Sequence, residues 1–312
     1  MIPAACNKKG DFRMAEGAVW HTSYHITYQS PVDLSDSISE VLRQVGASLN
    51  VFDPASLASR INRGETSAVD SNFTNVYNMS KRINTLTSGA FDPTLGPLIT
   101  AWGFGKGHRA TADTLRIDSL MQFVGIGKTK LKDGELVKEH PSIEFNFSAI
   151  AKGYGCDCIG KMFLRNGVNN FLVEIGGEIA ASGKSPSGDD WHIGIDRPEY
   201  AAQPGAAAEA VVALTNRGMA TSGNYRNFHG VGSERYGHTI SSTTGRPART
   251  DVLSATVIAS TAMEADALAT SMMAMGSERA IRLADSLRMP VMLVLADSTV
   301  HVTSGMKSLI IE

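Results

Sequence analysis

Asp266 and Thr270 are two oxygen-bearing side chains four residues apart in an Ala-, Leu- and Met-rich stretch that contains no proline and ends at Gly276. This composition predicts a helix of about three turns over residues 262–275, with the glycine as its stop. Residues at i and i+4 share one face of a helix, so the carboxylate and the hydroxyl could offer two hard oxygen ligands to one Mg²⁺ ion. The alternative is that Glu264 and Asp266 stabilise the positive end of the helix dipole while Thr270 packs in the core, and the spacing alone favours that alternative.

A second candidate is Lys152, in a segment that predicts a strand from Phe145 running into a helix that continues through Phe163. Small residues and backbone amides at such a junction can approach a phosphate, and the lysine would add a positive charge. The segment matches neither a P-loop nor a GxGxxG pattern. Ordinary strand-to-helix packing with a solvated lysine explains it equally well.

The remaining candidates lie in turn-rich stretches. Residues 88–107 combine many Gly and Pro residues with Phe91, Trp102 and Phe104, which predicts a long functional loop whose aromatic rings either anchor it to the core or contact a flat ligand. Gly176 and Gly177 follow a predicted strand and allow a backbone to approach a ligand closely, or serve only the turn. His238 lies in a polar region and is the histidine most suited to chemistry, although a lone histidine is more often structural.

Several elements are predicted to position these groups. Residues 18–29 alternate in character and predict a first strand, on which His21 and His25 could share one face, although two such imidazoles are more often surface residues than metal ligands. Asp33 is expected to cap a helix over residues 34–49, and residues 252–259 predict a strand directly before the helix of Asp266. No repeat or linker divides residues 17–312, which we expect to form one domain.

Composition limits the class of protein. With 43% hydrophobic and 19% charged residues in 312, the chain has the profile of a soluble globular protein. Its net charge of −2, without a basic patch, gives no support for nucleic-acid binding, so the expected partner is a small molecule or a protein. Three cysteines cannot form a disulfide framework, and Cys156 and Cys158 are read as small helix residues because one residue separates them.

The N-terminal residues 1–16 are expected to form a tether. Small residues before Cys6, followed by a polar tail, are typical of the end of a bacterial lipoprotein signal whose apolar part would lie upstream. This pattern predicts a lipid anchor at Cys6 and a place in the bacterial periplasm, at the cell membrane. A cytosolic start with an incidental cysteine is the alternative.

From about residue 17 to the C-terminus, the motifs together resemble the ApbE family of periplasmic FAD:protein FMN transferases. The stretches that carry the resemblance are 88–98 with 102–105, 148–154, 173–178, 220–226, 238–240, 244–247 and 264–270. The resemblance implies an α/β (α+β) fold with mixed or antiparallel sheets flanked by helices. The chain departs from the family pattern at Trp20-His21, Phe52, Asn146 and Ser241-Ser242, where Met-Gly, tyrosine, aspartate and Asp-Pro are usual.

The resemblance also assigns residues. It implies that Mg²⁺ is held by Asp266, Thr270 and the backbone carbonyl of Ala149, which reverses the preference stated above for that helix. The FAD contacts that it implies are Phe52, Ala90, Phe91, Asp92, Asn146, Lys152, His238, Thr239 and Ile240.

The reaction implied is phosphoryl transfer. A Thr or Ser hydroxyl of a flavin-accepting protein, such as a redox-pump subunit, would attack the FMN-side phosphorus of FAD and release AMP, with His238 as the base and Lys152 assisting. A Mg²⁺-dependent FAD pyrophosphatase would use the same site with water as nucleophile. A flavin-binding lipoprotein without turnover is a third interpretation.

Overall fold

The computed structural model describes residues 11–105, 113–197, 208–223, 228–229 and 236–311. The strands are β1 (Phe12–Val19), β2 (Thr22–Gln29), β3 (Thr129–Lys132), β4 (Glu135–Lys138), β5 (Phe171–Ile175), β6 (Glu178–Ser182), β7 (Trp191–Asp196), β8 (Ala208–Leu214), β9 (Arg217–Gly223), β10 (Phe228–His229), β11 (Tyr236–Gly237), β12 (Val252–Ala259), β13 (Val291–Leu295) and β14 (Val300–Val302). The helices are α1 (Ser35–Leu49), α2 (Leu57–Asn62), α3 (Ser71–Leu86), α4 (Gly96–Ala101), α5 (Thr114–Met121), a 3₁₀ turn (Ile126–Lys128), α6 (Ala151–Arg165), α7 (Ala262–Met275), α8 (Ser277–Ser286) and α9 (Ser304–Lys307).

The centre of the fold is an eight-stranded sheet in the order β1-β2-β5-β6-β9-β12-β13-β14, and each neighbouring pair is antiparallel. Successive side chains point to opposite faces, as the period of a strand requires. On β9, for example, Met219 packs with the β7–β8 hairpin while Ala220 faces the helices. The expected α/β (α+β) class with antiparallel sheets flanked by helices is confirmed.

Helices α6 and α7 pack on one face of this sheet, and α7 is the most enclosed element. Ten of its 14 residues are buried, because its sequence is apolar around most of the helix circumference rather than along one stripe. Two glycines allow the close packing. A Cβ added to Gly153 of α6 would lie 2.2 Å from the Ala262 carbonyl oxygen, and one added to Gly218 of β9 would lie 2.1 Å from the Ala262 nitrogen.

The structure corrects several predictions at the N-terminal side. Residues 18–29 do not form one strand, because Trp20 and His21 adopt φ values of +48° and +64° and make the turn between β1 and β2. His21 therefore shares no strand face with His25. The predicted tether ended at residue 16, whereas β1 begins at Phe12 and pairs with β2 along its whole length.

Two further predictions are wrong in detail. The predicted loop over residues 88–107 contains α4, so its described part is not irregular throughout. The predicted strand from Phe145 has no ladder partners beyond the single bridge between Glu144 and Leu95, and α6 begins only at Ala151.

The predicted helices at 34–49 and 262–275 and the strand at 252–259 are confirmed to within one residue. Within the described part of the chain, no helix is long and apolar enough to cross a membrane.

Candidate active site

The start of α7 is fixed by two capping groups. Thr261 is the N-cap residue, and its hydroxyl accepts a 3.2 Å hydrogen bond from the Glu264 amide. The carboxylate of Asp157, on α6, accepts 2.9 Å hydrogen bonds from the amides of Ala262 and Met263. These contacts satisfy backbone donors that a helix leaves unpaired in its first turn, and they dock α7 against α6.

Asp266, one turn further along α7, is 2% exposed and faces the beginning of α6. Its Oδ2 accepts a 3.1 Å hydrogen bond from the amide of Gly153, the third residue of α6. The same oxygen lies 4.0 Å from Lys152 Nζ. Asp266 is thus a buried carboxylate at the N-terminal end of another helix, where the helix dipole favours a negative charge.

Glu178 completes this charge cluster. The side chain of Lys152 extends from α6 so that its Nζ lies 3.1 Å from Glu178 Oε1 and 3.3 Å from the Ser148 carbonyl oxygen. Glu178 is 5% exposed, and its other carboxylate oxygen, Oε2, has no hydrogen-bond partner among the described residues. Since each ionised carboxylate carries one negative charge and the ammonium one positive charge, the three ionised side chains have a net charge of −1.

The electrostatics of the cluster follow from this excess of acid in a buried place. Burial raises the pKa of Glu178 to about 8, although the Lys152 ammonium opposes the rise. Burial likewise raises the pKa of Asp266. Burial alone would lower the pKa of Lys152, but the Asp266 and Glu178 carboxylates outweigh it and the pKa is raised. Lys152 is therefore a firmly held cation.

A turn of two glycines places Glu178 beside Lys152. Gly176 and Gly177 adopt φ values of +63° and +98° and connect β5 to β6, with Ile175 paired to Glu178. Such turns favour glycine because both positions need a positive φ. A Cβ at Gly176 would also lie 3.3 Å from Lys152 Cδ, so the glycine leaves room for the lysine stem.

Thr270 lies one turn after Asp266 on α7 and contacts the sheet. Its Oγ1 is 3.1 Å from Ser222 Oγ on β9. Ala149, whose carbonyl is the third implied ligand, directly precedes the residue that caps α6 and is half-buried. The structure therefore places two implied ligands one turn apart on α7 and the third at the end of α6 that Asp266 contacts.

The donor types fit a Mg²⁺ ion better than a softer metal. Among the described residues, no group of three or more His, Cys, Asp or Glu side chains is placed to hold a metal ion. A cation at Asp266 would depend on one carboxylate with neutral hydroxyl and carbonyl oxygens, the hard donors that Mg²⁺ accepts.

Asp92 stabilises the loop that carries the three implied FAD residues Ala90, Phe91 and Asp92. Asp92 Oδ1 accepts a 2.8 Å hydrogen bond from the Thr94 amide, and Oδ2 accepts a 3.0 Å bond from the Ile126 amide. Phe91 is 4% exposed and packs in the main core. Its ring therefore anchors the loop, so a ligand would meet the backbone here rather than the ring. Ala90 directly precedes Phe91 and is half-buried.

One other implied FAD residue, Asn146, adjoins this loop, and so does the turn that carries three more. The Asn146 amide donates a 2.7 Å hydrogen bond to the Pro93 carbonyl, which joins the segment before α6 to the loop. Ser242 donates a hydrogen bond to the Gly89 carbonyl, and Trp102 Nε1 donates one of 2.8 Å to the Gly245 carbonyl. The turn of residues 238–247 is thereby docked on residues 88–105.

Within that turn, the three implied residues differ in exposure. The half-buried His238 ring packs edge-on against Phe104, with 6.2 Å between ring centroids. Thr239 and Ile240 are buried, and Ile240 packs among the side chains of α4 and α5. Phe52 is 36% exposed, and its ring lies edge-on to that of His21, with 6.0 Å between the ring centroids.

Sequence reasoning missed three residues of this site. The sequence alone assigned no chemistry to Glu178, Asp157 or Ser222. In the structure, Glu178 contacts Lys152, Asp157 contacts the start of α7, and Ser222 contacts Thr270. For Glu178 there is a signal, since a carboxylate opens the otherwise apolar run Ile179-Ala180-Ala181. Charged residues are rarely buried unless paired. Asp157 and Ser222 carry no comparable signal, because their partners are distant in sequence.

The comparisons with known proteins agree with this architecture. A model of the ApbE family matches residues 20–293. An FAD:protein FMN transferase of Vibrio cholerae serotype O1 is 32% identical over 308 residues, which cover 95% of this chain and 91% of the relative. One of Haemophilus influenzae is 32% identical over 319 residues, which cover 97% of this chain and 92% of the relative.

A solved structure, the flavin transferase ApbE from Vibrio cholerae, superimposes with a TM-score of 0.86 at 31% identity and covers 96% of this chain and 99% of that chain. The chain belongs to the ApbE family. It is an enzyme of the transferase class, as the resemblance implied.

Proposed function

We propose that this chain transfers FMN from FAD to a Thr or Ser hydroxyl of a partner protein, such as a redox-pump subunit, and releases AMP. The names of its relatives support flavin transfer to a protein. The observation that carries the proposal is the convergence of Asp266, Lys152 and the first turn of α6 in one buried cluster. A diphosphate ester needs such an arrangement, because its phosphates must be bound and their charge compensated.

The metal proposed for this site is Mg²⁺. Asp266, Thr270 and the Ala149 carbonyl would hold it, since all three provide hard oxygens. When bound, the ion would neutralise charge on the FAD diphosphate. Lys152 provides a second, permanent positive charge beside the same place.

In the proposed step, the acceptor hydroxyl oxygen forms a bond to the FMN-side phosphorus of FAD. The bond from that phosphorus to the oxygen bridging it to AMP breaks, and AMP leaves with the electron pair. The hydroxyl proton is taken by His238, the proposed general base. We assign most of the acceleration to positioning and charge compensation, and a smaller part to the base.

FAD is proposed to lie between the loop at Ala90–Asp92 and the turn at His238–Ile240. The hydrogen bond between Ser242 and Gly89 supports this assignment, because it holds the two segments side by side. Asn146 adjoins the same loop. A crystal soaked with FAD tests the cleft, and density for FAD in a pocket that touches neither segment would refute it.

The reaction is tested by incubating the chain with FAD, Mg²⁺ and a peptide that carries a flavin-acceptor motif, followed by mass measurement. The expected result is a peptide heavier by one FMN, with one AMP released for each. A matched peptide with alanine in place of the acceptor hydroxyl residue should remain unmodified. Free FMN and AMP beside an unmodified acceptor peptide would instead identify a pyrophosphatase, and FAD that is bound but unchanged would identify a flavin-binding protein.

We propose also that the protein is lipid-anchored at the bacterial cell membrane and acts in the periplasm. The sequence around Cys6 supports this, and Cys6 lies outside the described residues. Expression of the complete gene with radiolabelled palmitate tests it. Label that is incorporated in the natural chain and lost in Cys6→Ser is expected, whereas equal labelling of both, or of neither, would contradict the proposal.

A further inference from the structure

Lys152 does not pair equally with the two carboxylates beside it. Its Nζ is 3.1 Å from Glu178 Oε1, which is hydrogen-bond distance, and 4.0 Å from Asp266 Oδ2, which is not. The ammonium also donates a 3.3 Å hydrogen bond to the Ser148 carbonyl oxygen. The lysine is thus held at Glu178 and only near Asp266.

This asymmetry matters for any cation at Asp266. A lysine in direct contact with Asp266 would be the natural neutralising partner of that carboxylate and would compete with a metal ion for its oxygens. What holds the ammonium away therefore decides whether the carboxylate is available.

Glu178 is placed to hold the Lys152 ammonium away from Asp266. Its position is set by the two-glycine turn before it, and the backbone carbonyl of the same residue accepts a hydrogen bond from Cys156 Sγ at 3.2 Å. Its side chain is 5% exposed, with Oε2 buried and without a hydrogen-bond partner among the described residues. A buried carboxylate in this state is costly, so its retention calls for a specific function.

We propose that Glu178 is a positioning residue that holds the Lys152 ammonium off Asp266 and so keeps Asp266 available for a divalent cation. This inference rests on the proposed function, in which Asp266 is a Mg²⁺ ligand. It goes beyond that function by assigning a role to a carboxylate that is not itself among the proposed ligands.

The test measures binding of Mg²⁺ alone by isothermal titration calorimetry, without FAD or acceptor. In Glu178→Gln the lysine loses the carboxyl group that holds its ammonium at 3.1 Å and is expected to move onto Asp266, so the Mg²⁺ affinity should fall by about tenfold or more. In the double variant Glu178→Gln/Lys152→Met no ammonium remains to compete, and the affinity should return to within about threefold of the natural chain. That recovery distinguishes positioning from ligation.

A matched control is Glu209→Gln on β8. It removes the same charge from a carboxylate that pairs with Arg197 at 3.0 Å, away from the two-glycine turn and from α7, so it should leave the Mg²⁺ affinity unchanged. Melting temperatures of all variants, measured in EDTA, establish that each is folded. If Glu178→Gln fails to fold, Lys152→Met alone decides the matter, because it should bind Mg²⁺ at least as tightly as the natural chain.

Three results would overturn the inference. Unchanged affinity in Glu178→Gln would mean that the lysine does not compete, and a double variant as weak as the single one would make Glu178 a ligand or a structural residue. A natural chain that binds no Mg²⁺ would remove the premise that Asp266 is available. The FMN-transfer measurement described above judges the proposed function separately, since transfer with unaltered Mg²⁺ binding in Glu178→Gln refutes only this inference.

Discussion

The carboxylate of Asp157 on α6 accepts a 2.9 Å hydrogen bond from the amide of Met263 at the start of α7, although 106 positions separate them in sequence. Its other oxygen accepts an equal bond from the Ala262 amide. The orientation of the helix that carries Asp266 and Thr270 is therefore set partly by a side chain from another helix.

Asp157→Ala is expected to lower the free energy of unfolding by about 1–3 kcal/mol, because two buried backbone amides lose their acceptor. Chemical denaturation measures the effect. Asp118→Ala, which removes an exposed carboxylate from α5, should change the stability by less than about 0.5 kcal/mol. Equal stability of Asp157→Ala and the natural chain would show that Thr261 alone caps α7.

Gly153→Ala is expected to disturb the contact between α6 and α7. The new methyl group would lie 2.2 Å from the Ala262 carbonyl oxygen, so the helices must separate and destabilise the fold by about 1–3 kcal/mol. Mg²⁺ binding should weaken as well, because Gly153 also donates to Asp266. Gly127→Ala is the matched control, since nothing lies within 4 Å of a Cβ built there. A Gly153→Ala chain with unaltered melting temperature would contradict the close packing.

The metal-free protein is expected to lose stability as the pH rises from about 5 to 8. Burial raises the pKa of Glu178 to about 8 and that of Asp157 to about 6, so both groups hold protons in the folded chain that they release in the unfolded chain. The stabilisation is complete below the unfolded pKa values and is lost as pH rises through the folded ones. Denaturation in EDTA across this range measures it.

Glu178→Gln should flatten the upper part of that pH dependence, because glutamine does not titrate. Glu40→Gln should leave it unchanged, since its hydrogen bond from Arg43 lowers the pKa of Glu40 to about 2 and its titration is complete below the range studied. A pH dependence that is the same in Glu178→Gln and the natural chain would show that Glu178 does not take up a proton on folding.

The proposed metal ligand and the proposed base should fail in different ways. Asp266→Asn removes a charge from the cation site, so it should weaken Mg²⁺ binding and leave any remaining transfer dependent on much higher Mg²⁺. His238→Ala should keep Mg²⁺-dependent FAD binding but lose turnover by about 10²- to 10⁴-fold. Titrating Mg²⁺ against FAD binding and FMN transfer in both variants separates the roles. If Asp266→Asn shows the same Mg²⁺ dependence as the natural chain, Asp266 is not a metal ligand, and its carboxylate only stabilises the helix ends.

Sequence periodicity alone predicted the elements whose formation depends on local pattern. The apolar, proline-free run before Gly276 predicted α7, and the β-branched residues of 252–259 predicted β12 within its observed bounds. The motifs, taken together and in order, were sufficient to predict the family and the antiparallel fold. Such patterns predict an element correctly because a helix or strand must bury its apolar face, or its whole length, whichever element it packs against.

Tertiary structure alone decided which charges meet. Lys152, Glu178 and Asp266 come from three different elements, and their ion pairs depend on how α6, β6 and α7 pack. The same is true of Phe91, whose ring could have faced a ligand but is enclosed in the core, and of Trp20 and His21, which form a turn despite an alternating pattern. A sequence determines local preference and the residues that must be buried, whereas the partners of a buried charge are set by contacts between segments distant in the chain.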